Sequence, residues 1–545
     1  MFPGRRAKTV LQEDLPMPHL LNNKYFLYAT EFFSGMSVMA IELGASRLLA
    51  PYFSSSQIVW TVIIGTIMIA MALGNIWGGR IVDRNPDPSR LYRRLLFAAV
   101  WIAAIPFLGK YVIALVSIAV GAVTSHNFLL WASFLCCFVI FVFPLVMLST
   151  VTPSLTRFTM ESLSESGRTV GRLNALNTIG SIIGTFLPTF VTIPAIGTAA
   201  TFILFAGILA LLSTLYFLSV RTGLRRCLVS IVLIVACSVS TVQYSFAFWE
   251  KNLVYEDESI YNYLQVRETD TSVILSTNVL AGVQSIKMKQ GSLTGMYYDY
   301  ALAAPVMAGL HEKEDGSVLI LGLGTGTFAT LCREYFPGAT VEGVEIDQKI
   351  ADLAKTYFDL PDSVTVHVAD GRTFLTGAGR YDVIMVDAYQ DITIPFQMSS
   401  VEFFTEVRNH LAEDGIMVVN MNMRSDREGA INDYLTDTIG SVFPSVVTAP
   451  VRGGTNTELF AAAKETDLPA RLTEALPGLR EENLAQMMQT VADVMETPAL
   501  GRRILTDDKA PVEVLGMRVI DEIIADELEY YRKEIQAHGL RALFS

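Results

Sequence analysis

Long unbroken apolar runs recur from about Tyr25 to Phe248; beyond them the pattern shortens to brief apolar runs set between turns. Seven runs, at roughly 25–53, 57–80, 95–120, 127–150, 174–196, 199–220 and 227–248, are each long enough to cross a bilayer as a helix. Their connections alternate in charge. Arg80, Arg84, Arg90, Arg93 and Arg94 lie between the second and third runs, Arg157, Arg168 and Arg172 between the fourth and fifth, and Arg221, Arg225 and Arg226 after the sixth. The intervening connections carry almost no charge. The positive-inside rule therefore places the N-terminus and the Arg-bearing loops in the cytoplasm of a multi-pass protein of the inner (plasma) membrane. Residues 1–24 hold Arg5, Arg6 and Lys8 but no short apolar core, which reads as a retained cytoplasmic tail.

Polar positions inside the apolar half are few. Glu31, Glu42 and Arg47 should face the bundle interior, as a functional group or an ion pair, because lipid makes their exposure costly. Asn174, Asn177, Gly180, Ser181 and Gly184 put small and polar residues at helical spacing, which suits close helix contact.

Between 249 and 310 the composition turns strand-like, as in Tyr261–Arg267 and Thr271–Leu275, punctuated by Gly282, Gly291 and Gly295. From Ser317 the order becomes strand, glycine-rich turn, helix. Strands are predicted at 318–321, 340–346, 363–368, 381–386 and 415–420, with helices at 328–336, 347–358 and 399–412. Such alternation builds an α/β sheet that binds ligands at the carboxyl ends of its strands. Gly322, Gly324 and Gly326 permit a tight turn and close approach of a ligand to the backbone, and Glu345 stands where a carboxylate accepts ribose hydroxyls. Asp370, followed by Gly371, and Asp387 close the third and fourth strands. The predicted architecture is a multi-helix α transmembrane domain (25–248), a small β-rich subdomain (249–310) and an α/β Rossmann-like domain of the class I S-adenosylmethionine type (311–545). Seven crossings would put that domain outside the cytoplasm, whereas adenosyl cofactors are made inside. The expectation is a cytoplasmic catalytic half, with 227–248 not crossing or 95–124 passing twice; the alternative is a domain that faces outward.

Charge sharpens the division. Residues 1–248 carry 17 Lys/Arg and 8 Asp/Glu, and the remainder 24 and 46. An acidic soluble half disfavours nucleic acid as partner and suits a small cationic amine. The five cysteines, four of them in apolar runs, show no disulfide framework and no metal-type spacing.

Several motifs together resemble the spermidine synthase family of aminopropyltransferases, in particular its membrane-fused bacterial members. They are Gly35 through Glu42 and Arg47, Asn177–Ser181, Glu258–Asn262, Val344–Asp347, Asp370-Gly371, Val386–Tyr389, Ile394-Pro395 and Leu505–Glu513. The resemblance implies an aminopropyl group moved from decarboxylated S-adenosylmethionine to a polyamine, with no metal. It implies that Glu345 holds the ribose and Asp370 the adenine amino group, beside Asn262, Gly322, Gly324, Thr325, Gly326 and Gly371. It implies Asp387 as general base with Tyr389 and Asp391, and Tyr298, Asp299 and Gln397 at the acceptor. Soluble relatives commonly form oligomers, so a homo-oligomer is kept as an alternative. Thr325 stands where soluble members carry Asp, the second acid of their Asp-Ser-Ser-Asp run is displaced to Asp391, and Asn262 replaces a Gln. These departures leave open transfer of a methyl or aminocarboxypropyl group from intact S-adenosylmethionine. Gly79–Arg84 resembles a loop of major facilitator transporters, which adds a transporter or sensor that binds an adenosyl ligand without turnover.

Overall fold

A computed structural model describes residues 23–54, 56–160, 166–241, 244–279, 282–291, 293–388, 394–422, 425 and 427–538. The chain forms two compact units, residues 1–45, 64–109 and 137–244, and residues 46–63, 110–136 and 245–545. Among the described residues, six helical stretches are long and apolar enough to cross a membrane: Lys24–Phe53, Gln57–Arg84, Pro88–Val123, Phe128–Thr159, Ser166–Val220 and Leu224–Thr241. The fifth contains both runs expected at 174–196 and 199–220. Its 55 residues would span about 80 Å if straight, far beyond a bilayer core of about 30 Å, but the backbone turns at Gly197 (φ 79°, ψ 168°). The stretch 95–124 does not pass twice: Pro88–Val123 runs as one helix through Pro106. The expected run 227–248 becomes the shorter helix Leu224–Thr241.

Within the first unit, Gly180 and Gly184 lie against the Phe32 and Met36 backbone, where a Cβ at either would collide with a carbonyl oxygen. The missing side chains let the helix backbones approach closely. Among the described residues Glu31 forms no ion pair. It is fully buried, and its Oε1 accepts hydrogen bonds from Thr152 Oγ1 (2.6 Å) and Asn177 Nδ2 (3.0 Å).

Two sheets dominate the second unit. Strands β1 (Leu253–Glu258), β2 (Tyr263–Glu268), β3 (Ser272–Ser276) and β4 (Ser285–Met288) form an antiparallel meander. It falls within the segment predicted to be β-rich. The larger sheet has β5 (Ser317–Leu321), β6 (Thr340–Glu345), β7 (Val364–Val368), β8 (Tyr381–Val386) and β9 (Leu411–Met421), with parallel pairings between them. These match the predicted strands. Two more, β10 (Ser445–Pro450) and β11 (Thr457–Ala462), extend it antiparallel, giving the order β10-β11-β9-β8-β5-β6-β7. The strand order reverses beside β5, which opens a crevice at the carboxyl ends of β5, β6 and β8.

Helix Val512–His538 is the last described element. Its Asp521 accepts from the Phe128 amide (3.3 Å), its Glu513 from the Gln57 amide (3.1 Å), and its Arg532 donates to the Gly121 carbonyl. Arg47 donates to the Ser259 and Ile260 carbonyls, and the Val279 amide donates to the Pro51 carbonyl (3.0 Å). Residues 46–63 are thereby tied to this helix and to loops of the meander, and residues 110–136 to the helix.

Candidate active site

Two cavities meet at the end of β8. The first, about 240 Å³, is a cleft lined by Gly322, Gly324, Glu345, Asp370, Asp387 and Gln397, with Asn262, Tyr298 and Gly371 completing the sequence-predicted residues on its wall. The second, about 490 Å³, reaches from Asp387, Tyr297 and Asn420 to Tyr52, Leu129 and Ile524. Asp387 is the carboxylate common to both among the described residues.

The glycine turn follows from local geometry. Gly322, Gly324 and Gly326 all have positive φ (93°, 56° and 85°). A Cβ on Gly322 would strike the Asp387–Ala388 backbone, so the turn sits directly against the end of β8. Glu345 Oε2 accepts from the Gly324 amide (2.9 Å) and Oε1 from the Asp347 amide (3.0 Å). The carboxylate keeps acceptor capacity for a ligand hydroxyl. Burial pushes the Glu345 carboxyl up to about 7, against the pull of those amides. Asp370 caps helix Gly371–Leu375 through the Thr373 amide (2.8 Å) while facing the cleft. Arg372 on that helix forks onto Asp507 (both contacts 2.7 Å) and donates to the Gln397 carbonyl (2.8 Å). The Leu505–Glu513 motif thus braces the rim of the cleft.

Several expected residues stand elsewhere. Thr325 and Gly326 are absent from the described cleft lining: the Thr325 amide donates to Ser285 Oγ (3.1 Å) with its side chain buried, and Gly326 packs against Leu360. A turn that presents Gly322 and Gly324 to one side directs the residues after Gly324 inward. Asp299 lines neither cavity, because it accepts from Thr294 N, Thr294 Oγ1 and Gly295 N and so holds the preceding loop. Tyr298 and Gln397, expected at the acceptor, lie on the wall of the smaller cleft, where Tyr298 donates to the Gln284 carbonyl (2.7 Å). Tyr389 and Asp391 fall outside the described residues.

Three neighbours of Asp387 are not among the sequence-predicted residues. Tyr297 donates to its Oδ2 (2.8 Å), and Asn420 Nδ2 to its Oδ1 (2.8 Å). Asn456 in turn donates to Asn420 Oδ1 (2.8 Å). The third, Glu458, is fully buried beside Asn420 across the β9–β11 ladder, and neither carboxyl oxygen has a hydrogen-bond partner among the described residues. Burial, and then the nearby Asp387, push the Glu458 carboxyl well above the usual carboxylate range. Burial also raises Asp387, to about 7, while its Asn420 and Tyr297 donors pull it down. Of two buried acids, the one with two donors is the one that ionises near neutrality. The Tyr297 and Tyr298 pair signals a site in the sequence, but adjacent helix positions point about 100° apart, and only packing decides which faces the acid.

Comparison with known proteins gives a consistent picture. Residues 301–459 match the model of the spermine/spermidine synthase domain. A "probable polyamine aminopropyl transferase" of Bifidobacterium longum is 52% identical over 347 residues, 60% of this chain and 77% of that protein. A polyamine aminopropyltransferase of Vibrio vulnificus is 27% identical over 290 residues, 50% of this chain and 93% of that protein. An eEF1A lysine and N-terminal methyltransferase of Danio rerio is 28% identical over 196 residues, 33% of this chain and 28% of that protein.

Proposed function

The chain is an alkyltransferase belonging to the spermine/spermidine synthase family, and from that premise we propose that it moves the aminopropyl group of decarboxylated S-adenosylmethionine to an amine held in the larger cavity. The observation that carries this reading is the position of Asp387 on both cavities, with donors on both carboxyl oxygens. In the reaction the amine nitrogen attacks the methylene carbon bonded to the sulfonium. The new C–N bond forms as the C–S bond breaks, its electron pair stays on sulfur, and the nitrogen's proton passes to Asp387. Tyr297 and Asn420 hold the carboxylate in place. Glu345 is suited to the ribose hydroxyls through its remaining acceptor capacity, and Asp370, on the wall of the same cleft, to the adenine amino group.

The cleft also bears on which cofactor enters. Its described lining has Glu345, Asp370 and Asp387 but no Lys, Arg or His. The carboxylate of intact S-adenosylmethionine would find no cationic side chain there and would approach acids, which favours the decarboxylated form. The methyltransferase relative supports the second reading, methyl transfer from the intact cofactor. A sensor without turnover is disfavoured, because the family is one of enzymes. The test is to incubate the purified chain with each cofactor and candidate amines and to identify the nucleoside by mass spectrometry. Methylthioadenosine is expected from the decarboxylated cofactor; S-adenosylhomocysteine from the intact one would sink the aminopropyl reading.

Tyr297→Phe removes one hydrogen bond to a charged acceptor, worth about 1.5–3 kcal/mol. The Asp387 carboxylate loses a stabilising donor, so its pKa rises further. The acid limb of kcat/KM should move to higher pH and the rate near pH 7 should fall roughly tenfold or more. An unmoved limb would remove Tyr297 from this role.

The six apolar helical stretches support a bilayer anchor. The uncharged connections following residues 53 and 123 fall in the compact unit that holds both sheets, and the Arg-bearing loops fall in the other. With the positive-inside rule this favours an outward-facing catalytic half, the reverse of the placement expected from cofactor supply. Protease added to intact cells should then digest residues beyond 245; protection would return the domain to the cytoplasm.

A further inference from the structure

The larger cavity has an uneven wall. At the Asp387 end it offers polar groups: Tyr297, Asn420 and Asn456, linked by the hydrogen bonds described above. Ser54, Thr277, Asn278, Gln284, Asn422 and Thr455 add uncharged polar groups, and apolar side chains come from three separate segments: Tyr52 and Phe53 at the end of the first helix, Leu129, and Ile520, Ile523 and Ile524. The isoleucines recur at i, i+3 and i+4 and so share one face of the C-terminal helix. Tyr52 adds no free hydroxyl, since its OH donates to the Phe246 carbonyl (2.9 Å). Ile523 keeps 36% of its surface exposed although it lines the cavity, so this helix face is not simply packed away.

Charge makes the same point. Asp387 is the single charged side chain among the described residues lining this cavity. A diamine or triamine brings at least one further ammonium, and a cation taken from water into such a space without a counter-charge is penalised. An apolar chain instead gains from every methylene that leaves water. We infer that the acceptor is a primary amine borne on an apolar chain, with its nitrogen at Asp387 and its chain along Tyr52, Leu129, Ile520 and Ile524. This rests on the aminopropyl-transfer reading and narrows its acceptor. The bond changes are unaltered: the nitrogen gains the aminopropyl carbon, sulfur keeps the electron pair of the broken C–S bond, and Asp387 takes the proton.

The test uses the full-length chain at fixed detergent concentration with decarboxylated S-adenosylmethionine, following methylthioadenosine. Acceptors are n-butylamine, n-hexylamine and n-octylamine on one side, putrescine and spermidine on the other. The value of kcat/KM should rise roughly three- to fourfold per methylene along the alkylamines and exceed that of both polyamines at octylamine. Ile523→Asp places a carboxylate in the apolar wall; it should lower kcat/KM for octylamine at least about tenfold and raise that for putrescine. Its cofactor affinity, measured by equilibrium dialysis, reports that it is folded, and the wild-type chain-length series stands without it. A further arm replaces soluble amines by phosphatidylethanolamine vesicles and seeks the aminopropylated lipid. Its formation would assign a lipid-borne amine, while octylamine turnover without it would assign a free one. Turnover fastest with putrescine or spermidine, and flat along the alkylamines, would overturn the inference yet leave aminopropyl transfer standing. No methylthioadenosine with any amine would overturn both.

Discussion

Replacing Asp387 by Asn should lower turnover by about 10²- to 10⁴-fold, the range for loss of a general base, while cofactor affinity changes little. The two side chains are nearly the same size, so the junction of the cavities stays filled. Asn cannot take the proton of the attacking nitrogen. It also brings an NH₂ to a place where Tyr297 and Asn420 both donate, so one of these bonds must be lost. The pH dependence provides a second readout. Burial holds the Asp387 carboxyl near 7, and the active form is the ionised one. The kcat/KM profile should therefore rise with pH through about 7 and flatten above it, and the Asn variant should lack that limb. A bound sulfonium favours the carboxylate, so the corresponding limb of kcat, which reports the complex, should lie lower. Measuring methylthioadenosine release across pH 5 to 9 checks all of this, and wild-type rates in the variant would eliminate Asp387 as base.

Glu345→Gln should act on binding. Its carboxylate accepts from the Gly324 and Asp347 amides and keeps acceptor capacity for ribose hydroxyls. Hydrogen bonds to charged groups are worth about 1.5–3 kcal/mol each, and the amide keeps one acceptor of the two. The Kd for the cofactor should rise by about ten- to a hundredfold. Calorimetric titration reads this directly. Because burial raises Glu345 to about 7, wild-type affinity for the cationic cofactor should weaken as pH falls below that value, and the Gln variant should lose this dependence. An unchanged Kd would take Glu345 out of the site.

Both residues are legible in the sequence because each closes a β-strand in a regular α/β alternation. The five parallel strands are legible for the same reason: short apolar runs between glycine turns and amphipathic helices have little choice of partner. Strands β10 and β11 are not, since Ser445–Pro450 and Thr457–Ala462 pair antiparallel at a sheet edge and nothing local announces their register. The Leu505–Glu513 motif stands out along the chain, but its use, Asp507 holding Arg372 at the cleft rim, depends on a contact across more than a hundred residues.

The sequence by itself determined the order of elements, the glycine turn and the acids at strand ends, because these follow from period, steric freedom and spacing along one chain. Tertiary structure decided which neighbours those acids have. It turned Tyr297 toward Asp387 and Tyr298 toward the Gln284 carbonyl, buried Thr325 and Asp299 away from the cavities, and left Glu458 without a hydrogen-bond partner among the described residues. It also carried Ile520–Ile524 back to Tyr52 and Leu129 to wall the larger cavity. The physical reason is that side-chain direction and long-range closure are set by packing of whole elements, which local pattern does not encode.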